Sequence, residues 1–321
     1  MRILVTGGAG FIGSHLCERL ITDGHTVTAI DNFSTGRAAN LANLNRTDNF
    51  TLVQGSILDT EILKPLIDGT DYVFHLAAAV GVFNIVNNPL ASLLTNIRGT
   101  ENVLEVAHVK NTPVFLTSSS EVYGKNISDS LKESDDRILG SPVTLRWSYS
   151  EAKAIDESLA YAYFVEKQLE TRIVRFFNTV GPRQLGAYGM VVPRFVKAAL
   201  ANEPITIYGN GNQTRCFAHV YDVVDAVIAI AFADNTIGKV INIGNNFEIS
   251  INGLAKKIIG ETSSKSEIIY VPYEEAYGDG FEDMERRVPN IDLINQLVGW
   301  TPKRDLSTMI TDISAEMKKG S

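Results

Sequence analysis

A doubly wound parallel α/β sheet is the fold class this sequence predicts, and three observations predict it. Short β-rich runs alternate with longer helical patterns through the first half of the 321-residue chain. Several of those runs are continuously apolar, as strands covered by helices on both faces tend to be. A glycine-rich turn, Gly7 to Gly13, comes directly after the first run and opens the first helical pattern. Such alternation is the mark of parallel strands joined by crossover helices.

Taken in order, Arg2–Thr6, Thr26–Ile30, Phe50–Gln54, Tyr72–His75, Val114–Thr117 and Arg172–Phe177 read as strands. Ile12–Asp23 and Pro89–Val109 have helical spacing. Val240–Gly244 reads as a further strand of the same kind. From about Gly181 the texture changes. Gly181-Pro182-Arg183 and Gly186–Gly189 break the pattern, and Pro272, Pro289 and Pro302 punctuate the C-terminal part. The expected organisation is residues 1–181 as a dinucleotide-binding unit, joined by segments near 217–247. Residues 182–216 and 248–321 form a smaller region that encloses a ligand against the strands' carboxyl ends.

Composition narrows the function classes. Apolar residues make up 45% of the chain, enough for a sizeable core. The net charge of −8, the pI near 5.2 and the lack of any Lys/Arg block argue against a nucleic-acid partner. Cys17 and Cys216 alone give neither a disulfide framework nor a metal spacing, and read as packing residues. The chain passes from Met1-Arg2 straight into a strand, and no apolar stretch is long enough to span a membrane. A soluble cytoplasmic protein is expected, with no metal.

The turn Thr6-Gly7-Gly8-Ala9-Gly10-Phe11-Ile12-Gly13 spaces Gly7, Gly10 and Gly13 three apart. Small residues there let the backbone approach a pyrophosphate, whose charge meets a helix N-terminus. Asp31 ends the second strand, where an acid accepts hydrogen bonds from an adenosine ribose and repels a 2′-phosphate. NAD is therefore favoured over NADP. Asn32, Ser34, Thr35 and Gly36 supply the next contacts, and Arg37 is the one group there able to pair with a phosphate.

Two further clusters carry chemistry. Thr117-Ser118-Ser119-Ser120-Glu121-Val122-Tyr123-Gly124 sets hydroxyls and one carboxylate at a strand's end, useful at a reaction centre and costly to bury elsewhere. Tyr149 and Lys153 stand four apart at the start of a helical pattern that ends near Lys167, so they share a face. A free tyrosine, with a pKa of about 10, is a poor base at neutral pH. A neighbouring ammonium and an oxidised nicotinamide favour its phenolate. Such a phenolate takes a proton from a sugar hydroxyl while a hydride leaves the same carbon.

These elements, in this order, resemble the extended short-chain dehydrogenase/reductases that act on nucleotide sugars. His75-Leu76-Ala77-Ala78, Phe176-Phe177-Asn178, Gly181-Pro182-Arg183 and Gln213-Thr214-Arg215 extend the resemblance over nearly the whole chain. It implies a Rossmann sheet with a C-terminal substrate-binding region, and a homodimer through the Pro89–Val109 and Tyr149–Lys167 helices. It also implies that Tyr149 is the base at the sugar O4, that Lys153 lowers its pKa and binds the nicotinamide ribose, and that Ser119 assists. Ser56, Ile57, Leu76, Ala77 and Ala78 fall at cofactor positions; Asn178, Val192, Tyr208, Arg215 and Arg287 fall at positions that line the nucleotide-diphosphate pocket. Arg215 suits a diphosphate, since a guanidinium matches phosphate geometry. One departure is Gly55-Ser56-Ile57, where many members carry Gly-Asp-Ile; Asp59 stands two residues further on.

Glu121 separates the branches. Family 4-epimerases usually lack an acid there, and 4,6-dehydratases carry Thr-Asp-Glu or Thr-x-Glu. UDP-glucuronate decarboxylases carry Ser-Thr-Ser-Glu-Val-Tyr-Gly, from which Ser118–Gly124 differs by Ser119 alone. Tyr277–Asp283 with Arg286-Arg287-Val288-Pro289, and Arg146-Trp147-Ser148-Tyr149, resemble the decarboxylases too. Ser120 stands where the apiose-forming branch has Cys. The implied reaction is NAD-dependent decarboxylation of UDP-glucuronate through a 4-keto sugar, with Ser120, Glu121 and Arg287 around C5. Glu121 is a candidate proton donor and also a candidate ion-pair partner of Arg146. A 4-epimerase and a 4,6-dehydratase are the alternatives. A non-catalytic NAD-binding protein is the remote one, since it has no use for Tyr149 with Lys153.

Overall fold

The structure is a computed structural model and describes residues 1–81, 85, 87–186, 190–272, 275 and 284–319. Seven parallel strands form its central sheet: β1 (Arg2–Thr6), β2 (Thr26–Asp31), β3 (Phe50–Gln54), β4 (Tyr72–His75), β5 (Val114–Ser119), β6 (Thr171–Phe176) and β11 (Val240–Ile243), in the order β11-β6-β5-β4-β1-β2-β3. The chain winds outward in both directions from the β1/β4 pair, which is where a doubly wound sheet opens a crevice. β5 runs two residues beyond the expected Thr117. Its pairing with β6 continues through Ser118↔Arg175 and Ser119↔Phe176, so the hydroxyl cluster lies within the sheet's register.

Helices cover both faces. On one, α1 (Phe11–Thr22) and α6 (Val220–Ala231) bury Leu16, Leu20, Val223 and Ile230 against Val5, Phe74 and Ile241. On the other, α2 (Thr60–Asp68), α3 (Pro89–Lys110) and α4 (Ser148–Lys167) bury Leu63, Val103, Leu104 and Ala160 against Leu4, Val73 and Ile173. Double coverage explains the apolar runs in the strands. Local chemistry sets the helix ends. The Asp59 carboxylate accepts from the Glu61 and Ile62 amides at the start of α2, and Pro89 opens α3 where no amide donor is needed.

A second core joins α5 (Val191–Ala201), α7 (Ile251–Thr262) and α9 (Leu306–Lys319), with Val192, Phe195, Ile207, Leu254, Ile258, Met309 and Ile313 buried together. Short pairs edge it: β7 (Thr179–Val180) with β10 (Ala218–His219), β8 (Ile205–Tyr208) with β13 (Ile268–Val271), and β9 (Thr214–Cys216) with β12 (Glu248–Ser250). α8 (Asp292–Val298) belongs elsewhere by its packing: Ile294 and Trp300 join the sheet core, beside α6. Cys17 and Cys216 are buried and unbridged, as expected of packing residues.

A buried ion pair fixes the site's end of β5. Arg175 of β6 donates to both carboxylate oxygens of Glu157 on α4, at 2.9 and 2.8 Å. The Ser118 hydroxyl donates to the same carboxylate at 2.5 Å, and the guanidinium lies 4.7 Å from the Tyr123 ring centre. Removing one partner of such a pair strands the other charge away from water. Arg175→Leu is therefore expected to lower unfolding stability by about 3–5 kcal/mol, measured by urea denaturation.

Candidate active site

The carboxyl ends of β1, β2, β4, β5 and β6 open into one cleft of about 710 Å³, closed from the other side by residues of the second core. One half of it is built on glycine. Gly7 has φ of 71°, and a Cβ there would lie 2.8 Å from the Ala77 amide nitrogen. A Cβ on Gly13 would lie 2.2 Å from the Gly7 carbonyl oxygen. Only glycine lets the turn, the start of α1 and the Ala77 segment come this close. The Ala77 amide is held by the Thr6 hydroxyl at 3.1 Å, and Asn96 of α3 bonds both Ala79 backbone groups, at 2.7 and 3.2 Å.

Asp31 sits at the mouth of this turn. Its carboxylate accepts from the Ala9 amide at 2.9 Å and the Phe33 amide at 2.8 Å. Burial raises its carboxyl above the ordinary value, and these amides act against that rise. Gly36 packs on the carboxylate, since a Cβ there would meet both oxygens at 2.8 Å. Gly10, Phe11, Ile12, Asn32, Ser34, Thr35, Ile57, Leu76 and Ala78 all line the cleft. Ser56 does not; its hydroxyl accepts from the Leu58 amide at 3.2 Å. Asp59 is engaged in capping α2, so it does not take up the missing aspartate contact.

Tyr149 and Lys153 project from the first turns of α4 into the cleft beside Ser119, Ser120 and Glu121. Tyr149 is hydrogen-bonded to Ser119. The expectation that Lys153, together with an oxidised nicotinamide, lowers the tyrosine's pKa concerns the site with its cofactor bound; the chain by itself sets a different balance. The phenol is pushed up, first by burial and then by the negative charges of Glu121 and Asp156, and only the Ser119 bond works the other way. Lys153 Nζ donates to the Thr117 carbonyl at 3.0 Å and to Asp156 at 3.1 Å.

Glu121 occupies the other side of the cleft. Burial pushes its carboxyl up, but Arg146 and Arg287 outweigh that and hold it well below the usual carboxylate range. Arg146 lies 2.7 Å from one oxygen, and Arg287 donates to the other at 2.5 Å. The pairing with Arg146 expected from the sequence is thus present, and Arg287 completes it. Arg287 also donates to the Asn178 side chain at 2.7 Å, while Asn178 donates to the Cys216 carbonyl at 2.9 Å. An acid held so firmly as its anion is a poor proton donor at neutral pH.

The far end carries the remaining expected residues. Val192, Tyr208 and Arg215 all line it, and Arg215 donates to the Thr214 carbonyl at 2.8 Å. Reading the sequence did not single out Arg194, whose guanidinium stacks 4.3 Å from the Tyr208 ring centre, or Asp156. Asp156 had a signal, its place three residues after Lys153; Arg194 had none. The Tyr277–Asp283 part of the resemblance and residues Ala187–Gly189 lie outside the described residues. Among the described residues no group of three or more His, Cys, Asp or Glu can hold a metal, and no helix is long and apolar enough to cross a membrane.

Comparison with known proteins identifies the family. The GDP-mannose 4,6 dehydratase family matches residues 4–313. The UDP-N-acetyl-alpha-D-glucosaminuronate decarboxylase of Bacillus cytotoxicus is 41% identical over 302 residues, covering 94% of this chain and 92% of that protein. UDP-glucuronic acid decarboxylase 1 of Xenopus tropicalis is 37% identical over 303 residues, covering 94% of this chain and 68% of its own. The solved UDP-glucuronic acid 4-epimerase from Bacillus cereus, in complex with UDP-glucuronic acid and NAD, superposes with a TM-score of 0.90 at 28% identity over all of both chains. The chain belongs to the GDP-mannose 4,6 dehydratase family, within the extended short-chain dehydrogenase/reductases of nucleotide sugars that its motifs resemble.

Proposed function

We propose that this protein decarboxylates a UDP-hexuronate, UDP-glucuronate in the first instance, through a 4-keto intermediate, giving UDP-xylose or the UDP-4-keto-pentose. The observation that carries the reading is Glu121, ionised between Arg146 and Arg287 in the same cleft as Ser119 and Tyr149. Relatives named as decarboxylases support it over most of the chain. The name of the Bacillus cytotoxicus relative favours a second form, with an acetamido group at the sugar C2.

The residues fit a nicotinamide dinucleotide. A cradle that admits no Cβ at Gly7 or Gly13 suits a pyrophosphate at the start of α1, and the Asp31 carboxylate suits an unphosphorylated ribose. Bound NAD would supply the hydride acceptor for C4; the hydride would go back to C4 where UDP-xylose is the product, and would remain on the cofactor as NADH where the 4-keto-pentose is released. Tyr149 removes the proton from O4, with the Ser119 hydroxyl bonded to its phenol. The C4 ketone then lies β to the C5 carboxylate. The bond to CO2 breaks with its electron pair passing toward the C4 oxygen, where Tyr149 and Ser119 supply hydrogen bonds. Arg287 orients the carboxylate. Glu121 fixes Arg287 and orients the water that protonates C5, since its own proton is absent at neutral pH. Asn178, Val192, Tyr208 and Arg215 hold the nucleotide diphosphate.

The reading includes a homodimer in the cytoplasm. Val109 on α3, with Ile155, Tyr161 and Val165 on α4, are large apolar residues left exposed on two packed helices. Such a surface favours a partner. Mass measurement in solution is expected to give twice the 35.1 kDa of one chain.

The deciding assay supplies UDP-glucuronate, its 2-acetamido counterpart and UDP-glucose in parallel, with CO2 and nucleotide-sugar products followed by mass spectrometry. CO2 release from a hexuronate is expected; interconversion of UDP-glucose and UDP-galactose without CO2 would sink the proposal in favour of an epimerase. Glu121→Gln is expected to cut CO2 formation at least about 100-fold while leaving NAD affinity intact. Gly13→Ala forces a Cβ against the Gly7 carbonyl, an overpacking cost of about 1–3 kcal/mol. Calorimetric titration should show NAD binding weaker by about fivefold or more.

A further inference from the structure

Arg194 brings a guanidinium to the cleft that the chemistry at C4 and C5 does not use. It stands on α5 and lines the far end of the cleft with Val192 and Tyr208. Its guanidinium lies 4.3 Å from the Tyr208 ring centre. One terminal nitrogen donates to the Thr206 carbonyl at 3.2 Å. Thr206 and Tyr208 both belong to β8, so a helix and a strand hold the group between them.

Three other guanidinium groups of the cleft have a carboxylate. Arg146 and Arg287 share Glu121, and Arg183 pairs with Glu18. Arg194 is half-buried and has no carboxylate partner among the described residues. Its Nε is buried without an acceptor. A cation set partly into protein without an electron-rich partner is costly, and a ligand is the remaining source of one.

The stack on Tyr208 says which part of the ligand. A guanidinium is flat, offers donors only, and lies here against an aromatic face. A planar base fits beside such a stack, and a carbonyl oxygen on the base's edge fits the donors. The diphosphate already has Arg215, on β9, as its partner in the proposed reaction.

We propose that Arg194 reads the base of the nucleotide: with Tyr208 it forms a stacked platform, and its unused N–H groups donate to the carbonyl oxygen at position 4 of a pyrimidine. Uracil carries that oxygen, whereas cytosine carries an amino group, itself a donor, in its place. Arg194 is thus a specificity-determining residue that selects the uridine form of the nucleotide sugar over the cytidine form. The inference rests on the reading of the far end as the nucleotide's place, but not on decarboxylation.

The test is calorimetric titration of UDP and of CDP into the full chain loaded with NAD, unmodified and as Arg194→Gln. Neither nucleotide carries a sugar, so failure here leaves the decarboxylase reading standing. The unmodified protein is expected to bind UDP about tenfold or more tighter than CDP, since one base gains a charge-assisted hydrogen bond and the other sets donor against donor. The glutamine amide offers an acceptor beside its donor. In Arg194→Gln the preference is therefore expected to fall to within about threefold, chiefly through weaker UDP binding. A preference that survives the substitution overturns the proposal. So does an equal loss for both nucleotides, which marks a phosphate contact. Binding of neither nucleotide by the unmodified protein overturns the nucleotide reading of the far end, and this inference with it. Should Arg194→Gln fail to fold, Arg194→Lys keeps the charge but not the flat fork. Its preference is expected to fall about threefold or more, and an unmoved preference overturns the proposal as well.

Discussion

Two guanidinium groups share one carboxylate at Glu121, and that arrangement joins parts of the chain far apart in sequence. Arg146 reaches it from the segment directly before Tyr149, and Arg287 from the segment between α7 and α8. Arg287 continues to Asn178, at the end of β6. Buried charges persist only when compensated, so each member constrains the position of the others. The cleft is thereby held at a set width between the sheet and the second core. The same bridge holds the Glu121 carboxyl well below the usual carboxylate range, which favours orientation over proton donation in the proposed reaction.

The sheet itself places the parts that this bridge connects. All seven strands run parallel, so every strand end that matters opens on one side. The glycine turn after β1, Asp31 at the end of β2, the Ala77 segment after β4 and the hydroxyls at the end of β5 meet there without any contact between them being required in advance. The ion pair of Arg175 with Glu157 anchors β6 and α4 together at this end, and Ser118 ties β5 to the same carboxylate. Ser119 and Tyr149, carried on β5 and α4, are brought into hydrogen bonding as a result.

Legibility in the sequence tracked the range of the interactions. The glycine spacing, the acid closing the second strand and the Tyr149–Lys153 pair are local patterns, and each appears in the structure at the expected place on its element. Ser56 and Asp59 show the limit of local reading. Both are polar and near the cofactor side, yet one caps a turn and the other a helix, because nearby unpaired amides claimed them first. The ammonium of Lys153 shows it again. Four-residue spacing put it beside Tyr149, but the spacing says nothing about a second acid that competes for it.

The sequence alone determined the fold class, the dinucleotide turn and the residue types at the reaction centre, since these depend on periodicity and on contacts within a few residues. Glu121 was visible as an acid in a motif. Its charge state was not, because that depends on Arg146 and Arg287, the latter 166 positions away. Nor was the upward push on the Tyr149 phenol, which comes from burial together with Glu121 and Asp156. Ionisation is decided by desolvation and by charges brought close in space. Only the folded chain decides both.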